Sequence, residues 1–425
     1  MSSIDKTHFG YRKSILNVED VPVPEIANEV GTPFYVYSST AIMANYKELS
    51  LALSELKHSI SFAVKANSNI AVLKHLGNLG AGMDIVSSGE YLRAKAAGIS
   101  GDKIVFSGVG KSRDEISLAI EGGVKQFNIE SESELMVLNA VAGSHKKRVP
   151  ISIRVNPDID AQTHEKISTG RSNNKFGIPY ESAVGVFDKA SKLTNLKVLG
   201  VAVHIGSQLT SLKPFEKTFL KIEKLVKVLR SEGHDIKSID LGGGVGIDYT
   251  GSSGVIDLVE YGQLVKSVLG HLNCEFEFEP GRLIVGNAGL MVCSIIYLKY
   301  LQDRNFIVVD GAMNDLARPT MYDAYHDIIM VEKKKNSGRI MADVVGPICE
   351  TGDTFALDRN LPISKEGDLI ALQSCGAYGA VMSSEYNSRP LIPEVLVMKK
   401  KFSVIRPRPS IMSVIKRDKI PDWLD

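Results

Sequence analysis

The chain has 425 residues and sets 50 lysines and arginines against 49 aspartates and glutamates, a formal net charge of +1. So even a balance excludes the global field that draws a protein to nucleic acid or to an anionic membrane. The four cysteines show no CxxC spacing, the opening MSSIDKTHFGYRK has no apolar h-region, and no apolar run is long enough to span a membrane. A cytoplasmic protein of enzyme size, with neither a disulfide framework nor a metal site, is expected.

After a polar opening, TPFYVYS at 32–38 reads as a strand and 39–56 as an amphipathic helix. A rhythm then sets in. Strand-like apolar runs fall near 60–64, 82–86, 103–106, 125–129, 150–155, 197–204, 236–240 and 274–279, with helical patterns over 69–79, 88–97, 112–121, 131–142, 180–192, 211–232 and 257–270. Eight strands alternating with helices predict an α/β fold, a parallel (β/α)8 barrel of the TIM type, with a doubly wound open sheet as the competitor. Residues 156–179, polar and punctuated by glycine, predict one long loop of the kind that serves as a lid. Beyond Arg282 the rhythm stops. MVCSIIYLKYL, NFIVVDGA, IMADVVGPIC, DLIALQSCG and EVLVMKKKFSVI are strand-like and separated by turns. They predict a second, mostly β domain, a barrel or sandwich that also takes the N-terminal segment. The expected division is a barrel over 38–285 and a β domain made of 1–37 and 286–425.

Catalytic groups of such barrels come from the carboxyl ends of the strands, with phosphate held after the last two. Here those ends carry Lys65, then Asp84 and Ser87, Arg154, His204 followed by GSQ, Asp240 before three glycines, and finally Glu279, Pro280, Gly281 and Arg282. A lysine against apolar surroundings can attack a carbonyl as a free amine, although a strand-capping lysine that snorkels to solvent is the plainer alternative. Consecutive glycines let backbone amides approach an anion, and the PGR sequence adds a guanidinium fork, although GGG alone also suits tight packing. A lysine, a phosphate cradle, an acid opposite a ring nitrogen and a flat histidine ring together describe a pyridoxal 5'-phosphate site.

Three motif fragments fail on spacing. GVGKS at 108–112 lacks the first glycine of a P-loop, since Val105 stands there; LGGGVGI has Ile247 in place of the third dinucleotide glycine; and Ser168 replaces the second histidine after His164 and Glu165.

FAVKAN (62–67), HIGSQ (204–208), DLGGGVGIDY (240–249), FEPGR (278–282), GPICETGD (346–353) and CGAYG (375–379) occur in family order and resemble the fold type III pyridoxal phosphate-dependent decarboxylases, nearest to their diaminopimelate branch. The resemblance runs from about residue 30 almost to the C-terminus, with Thr351 standing where serine is common. It implies that Lys65 bonds the cofactor and that His204 stacks on its ring. Asp84 then belongs to the cofactor site, Ser207, Gly243, Gly244, Gly281 and Arg282 lie near the phosphate, and Glu279 keeps the pyridine nitrogen protonated. Tyr378 is implied near phosphate and substrate. Related alanine racemases place an arginine opposite that nitrogen, so the acid points to a full electron sink and decarboxylation.

The substrate follows from NDLARPTMYDAYH (314–326), in which the resemblance implies that Arg318 and Tyr322, with Arg282, hold carboxylates while Glu350 pairs with the distal ammonium. Two arginines and a tyrosine suit an amino acid that is acidic at both ends. The alternative for Arg318 is a solvent-facing turn before Pro319. Cys349, which could also be a simple buried thiol, is implied to reach the neighbouring subunit's site and return the proton, giving a homodimer with shared active sites. The implied reaction is decarboxylation of meso-2,6-diaminopimelate to L-lysine. The rivals are a decarboxylase of ornithine, arginine or carboxynorspermidine type, a non-catalytic pyridoxal phosphate carrier, and a sugar-phosphate barrel enzyme using Lys65 as its own Schiff base.

Overall fold

The computed structural model describes residues 8–160, 169–170, 174–251, 254–334 and 337–424. They form two compact units, one of Met43–Asp248 with Ser253–Ile284, the other of Met1–Ile42, Tyr249–Ser252 and Val285–Asp425.

In the first unit eight strands are all parallel: β1 (His58–Ala63), β2 (Gly82–Ile85), β3 (Ile104–Phe106), β4 (Gln126–Ile129), β5 (Val149–Asn156), β6 (Leu196–Ala202), β7 (Ser238–Asp240) and β8 (Glu275–Phe278). Each pairs with the next, and β8 pairs with β1 through Phe276↔His58, so the sheet closes on itself. The predicted barrel is present and the open sheet is not. Strand–helix alternation accounts for the parallel order because parallel neighbours need a crossover, and the crossovers are helices with apolar inner faces, while the pairing of β8 with β1 is what closes the sheet. The helix Ile70–Asn78 buries Val72, Leu73 and Leu76 and is capped by Asn69, whose side chain accepts the amide of Ala71. Phe215 and Phe219 of helix Lys213–Ser231 meet Tyr261 of helix Leu258–Leu269 with ring centroids 5.2 and 6.1 Å apart.

The strand interiors reverse the usual alternation. Gln126 of β4 donates to Asp240 of β7, and Lys125 pairs with Glu277 of β8, contacts that cross the barrel and so place these side chains inside it. Ser61, Asp84, Gln126, Asn128, Ser152, Asp240 and Glu277 are all buried, while Ile85, Phe127, Ile151 and Phe276, each next to one of them, are also buried and point the other way, toward the helices. Most of the apolar content that marks these strands in the sequence therefore belongs to their outer face, with Val105, paired with Asp84 and Gln126, an inward exception.

The second unit is mostly β, as predicted. A path of strands runs Thr354–Pro362, Arg339–Val345, Asn305–Val309, Gly289–Tyr300, Phe34–Ser38, Glu394–Met398 and Lys401–Arg406, with Leu369–Leu372 joining Gly289–Tyr300 to Ile328–Met330. The N-terminal segment enters this sheet through Phe34–Ser38, antiparallel to Gly289–Tyr300 and parallel to Glu394–Met398. Four details differ from expectation. The opening is ordered as strands Phe9–Arg12, Ile15–Val18 and Val21–Pro22 plus helix Val23–Val30; strands Ile328–Met330 and Thr354–Pro362 went unforeseen; the helix after Ser38 ends at Ala52; and short helices interrupt the β region at Arg318–Tyr322 and Ile411–Ile415. Of the expected long loop, residues 161–168 and 171–173 lie outside the described residues, and Ile178–Pro179 extends the sheet beside β5. No helix of the described residues is long and apolar enough to cross a membrane.

Candidate active site

The carboxyl ends of the barrel strands converge on a cavity of about 390 Å³ that includes Lys65, Asn128, Arg154, His204, Asp240 and Glu279 in its lining, a size that suits a small cofactor. Lys65 does not end β1. The strand stops at Ala63, and Lys65 lies in the 3-10 turn Val64–Ala66. The turn lifts its ammonium to the mouth, where Nζ meets Oδ2 of the fully buried Asp84 at 2.9 Å while the lysine side chain keeps 41% of its exposure. Oδ1 of Asp84 is buried with no hydrogen-bond partner among the described residues, so this carboxylate has spare capacity for a ligand.

Glu279 follows β8 directly. Its Oε1 accepts from the Ser107 hydroxyl and from Nδ2 of Asn128, both at 3.2 Å. Burial, then the neighbouring Asp240 and Asp84, push its carboxyl well above the usual carboxylate range, which favours its protonated form. Asp240, the last residue of β7, accepts from Asn128 at 2.8 Å and from the amide of Gly242 at 3.0 Å. Burial in the first place and Glu277 in the second push Asp240 up to about 7. Two acids thus meet at the end of β7 and β8, and Asn128 and Ser107, which sequence reasoning missed, orient them. The available signal was a polar residue at every second place of QFNI in β4, legible only once the barrel interior is known to be polar.

His204 stands two residues beyond β6. Its Nδ1 accepts the amide of Gly243 at 3.2 Å, which fixes the proton on Nε2. Burial, together with the cations of Arg154 and Lys65, drives its pKa well below the ordinary histidine value, so the ring is neutral and its flat face can stack. Arg154 is anchored by Glu130 at 2.6 Å and lies over the Phe176 ring at 4.9 Å. The glycine run behind His204 needs to be glycine: Gly242 and Gly244 have φ of 63° and 108°, and a Cβ on Gly243 would stand 2.3 Å from the Glu279 carbonyl. Beside it, Nη2 of the buried Arg282 donates to the Ser207 hydroxyl at 3.2 Å, and Gly281 is buried next to it. Lys111 of the P-loop-like fragment is spent on structure, donating to the Gly108 and Asn128 carbonyls at 2.7 Å and to Glu134 at 2.6 Å.

A pyridine ring with a phosphate arm fits this mouth. The Lys65 amine, the glycine run with Ser207 and Arg282, the His204 ring and the buried acid Glu279 would meet its aldehyde, phosphate, ring face and ring nitrogen.

The other predicted site residues lie in the β unit. Arg318 opens the helix Arg318–Tyr322 and is buried, 6% exposed, so it does not face solvent; its guanidinium donates to His326 Nε2 at 2.8 Å. Cys349 and Glu350 are exposed on a turn, Glu350 accepting from the Tyr386 hydroxyl and the Cys349 thiol lying 3.7 Å from Asn387 Oδ1. Thr320 bonds the Gly352 carbonyl at 2.7 Å, tying that turn to the helix of Arg318 and Tyr322. Tyr378 takes a positive φ of 54°. Tyr386, Asn387 and His326 were not foreseen, since their partners are distant in sequence.

Residues 39–286 match the family described as the pyridoxal binding domain of pyridoxal-dependent decarboxylases. The chain is 44% identical to the diaminopimelate decarboxylase of Zymomonas mobilis over 98% of its own length and 99% of the relative's, and 49% identical to that of Pseudomonas fluorescens over 92% and 93%. Among solved structures, the diaminopimelate decarboxylase of M. jannaschii in complex with L-lysine superposes with a TM-score of 0.95 at 33% identity, covering 100% of both chains. The Helicobacter pylori enzyme complexed with L-lysine gives 0.90 at 39% identity over 93% of this chain and 98% of that one. With a closed barrel, a separate β unit and a mouth built for pyridoxal phosphate, the chain belongs to the diaminopimelate decarboxylase family of pyridoxal-dependent decarboxylases.

Proposed function

We propose that the chain removes one carboxylate of meso-2,6-diaminopimelate as carbon dioxide and leaves L-lysine, acting in the cytoplasm as a homodimer. The observation that carries this reading is the buried acid Glu279 set in the same cavity as Lys65. Full-length relatives bear the corresponding name, and two solved relatives hold L-lysine.

Bound pyridoxal phosphate supplies an electron sink for the pair left behind when carbon dioxide departs. Lys65 would hold the cofactor through Nζ, which lies beside Asp84 Oδ2. Glu279, held at its Oε1 by Ser107 and Asn128, would face the ring nitrogen and keep it protonated. His204 lays its neutral ring against the cofactor, with Nδ1 occupied by Gly243. Ser207, Gly243, Gly244, Gly281 and Arg282 take the phosphate through amides, a hydroxyl and a guanidinium. Arg318 and Tyr322, with Arg282, would bind substrate carboxylates, Tyr378 would lie near phosphate and substrate, Glu350 would pair with the distal ammonium, and Cys349 from a second copy of the chain or Lys65 would return a proton to the α-carbon.

The test is purified holoenzyme with meso-diaminopimelate, ornithine, arginine and carboxynorspermidine, following amine product and carbon dioxide. Lysine and carbon dioxide from diaminopimelate are expected; turnover of ornithine or arginine alone would overturn the substrate assignment. Lys65→Ala is expected to lose the visible absorbance of bound cofactor and at least about three orders of magnitude of activity, and an unchanged spectrum would reject the role of Lys65.

A further inference from the structure

The segment after the helix Arg318–Tyr322 returns sharply, with Asp323 at a φ of 49°, and brings His326 back beneath Arg318. His326 is completely buried. Its Nδ1 lies 2.7 Å from the Gln373 carbonyl and its Nε2 lies 2.8 Å from Nη1 of Arg318. The carbonyl can only accept and the guanidinium can only donate. The imidazole is therefore neutral, with its proton on Nδ1 and its Nε2 lone pair aimed at arginine; a second ring proton would set two cations face to face. Tyr249 completes the seat. Its ring lies 4.6 Å from the Arg318 guanidinium carbon and meets the His326 ring edge-on at 5.5 Å and 83°.

Two further groups among the described residues at His326 are compatible with this arrangement. The Cys375 sulfur is 3.5 Å from Nδ1, and burial pushes that thiol up to about 12, so it brings no thiolate to draw a second proton onto the ring. Arg359 touches only the backbone, donating to the His326 carbonyl at 3.3 Å, while its guanidinium lies over Tyr325 at 3.7 Å.

We propose that His326 is a positioning residue for substrate: as a neutral acceptor, with Tyr249 on the guanidinium's face, it fixes the plane of Arg318 for bidentate binding of a carboxylate. The inference rests on the substrate role given to Arg318 above and adds the groups that aim it. A bidentate pair needs the guanidinium fork in one plane, and an acceptor at one Nη together with a ring over its face removes the rotations that would spoil it.

The experiment compares unmodified holoenzyme with His326→Leu, His326→Gln and Tyr249→Leu, measuring KM and kcat for meso-diaminopimelate, with the visible absorbance of bound cofactor as a check of each folded protein. His326→Leu removes the acceptor and is expected to raise KM about tenfold or more, the size of losing a hydrogen bond to a charged group, with kcat within about threefold. His326→Gln sets an amide oxygen near the Nε2 position and is expected to restore KM to within about threefold. Tyr249→Leu is expected to raise KM several-fold and decides the matter if His326→Leu does not fold. Equal KM for the His326→Leu variant and unmodified protein, equal loss in His326→Leu and His326→Gln, or a loss confined to kcat would overturn this inference alone. An unmodified chain that fails to decarboxylate diaminopimelate would overturn the functional reading and this one with it.

Discussion

Asp240→Asn should change the stability of the cofactor-free protein in opposite directions at low and high pH. Asp240 titrates at about 7 in the folded chain against 3.8 for the free side chain. Its raised pKa means that the folded state binds the proton more tightly than the unfolded one, so stability is fully present below about 4 and falls as pH rises toward 7. The span corresponds to about 4 kcal/mol lost by pH 8. Asparagine removes that titration but forfeits at least one of three contacts: Asp240 accepts from Asn128, Gln126 and the Gly242 amide, and an amide has a single oxygen to offer. The forfeited bond costs about 1–3 kcal/mol at any pH. The variant should therefore be less stable than the parent near pH 4.5 and more stable by roughly 1–3 kcal/mol at pH 8.5. Burial and the neighbouring Asp84 still raise the Glu279 carboxyl in the variant. Urea unfolding of both apo proteins across this range reads the difference directly. Parallel pH profiles would refute the argument, because they would mean that Asp240 does not titrate with folding.

Lys111→Met should cost about 3–5 kcal/mol by the same urea assay, since it strips the buried Glu134 of its cation and leaves the Gly108 and Asn128 carbonyls without their donor; a cost below about 1 kcal/mol would show that the loop holds without it. Arg282→Lys should weaken pyridoxal phosphate binding about tenfold, measured by titrating apo protein at the visible band, because an ammonium cannot reproduce the fork that reaches Ser207; unchanged affinity would remove Arg282 from the phosphate site.

The barrel was legible because each strand is a short apolar run and each helix an amphipathic one, two periods that the chain alternates without exception. What that signal hides is direction. In QFNI of β4 the apolar residues pack outward, while Gln126 and Asn128 reach the interior, and nothing local reveals that Asn128 will meet Asp240 and Glu279. Lys65, His204 and Glu279 stood out because charged or imidazole groups interrupt apolar runs at strand ends. Ser107 did not, since a serine after a strand is ordinary. In the β unit the losses were also physical. The turn joining Phe9–Arg12 to Ile15–Val18 uses Lys13 and Ser14 at φ of 47° and 72°, without the glycine or asparagine that would announce a hairpin. The strand Thr354–Pro362 is broken in register near Asp358, whose φ is 48°, so its alternation lapses midway. His326 and Tyr249 meet Arg318 only through tertiary structure.

The strand Phe34–Ser38 has a consequence for how the chain is made. Its partners, Gly289–Tyr300 and Glu394–Met398, leave the ribosome roughly 250 and 350 residues later, a wait on the order of ten seconds to a minute at typical synthesis rates. Through that interval FYVYS, apolar and rich in β-formers, has two bare edges, while Met43–Ile284, nearly continuous in sequence, can close its barrel. The nascent chain thus carries a sticky tether ahead of a finished domain, and a ribosome that stalls shortly before codon 394 would release a protein with its barrel complete and one edge of Phe34–Ser38 open to a neighbouring molecule.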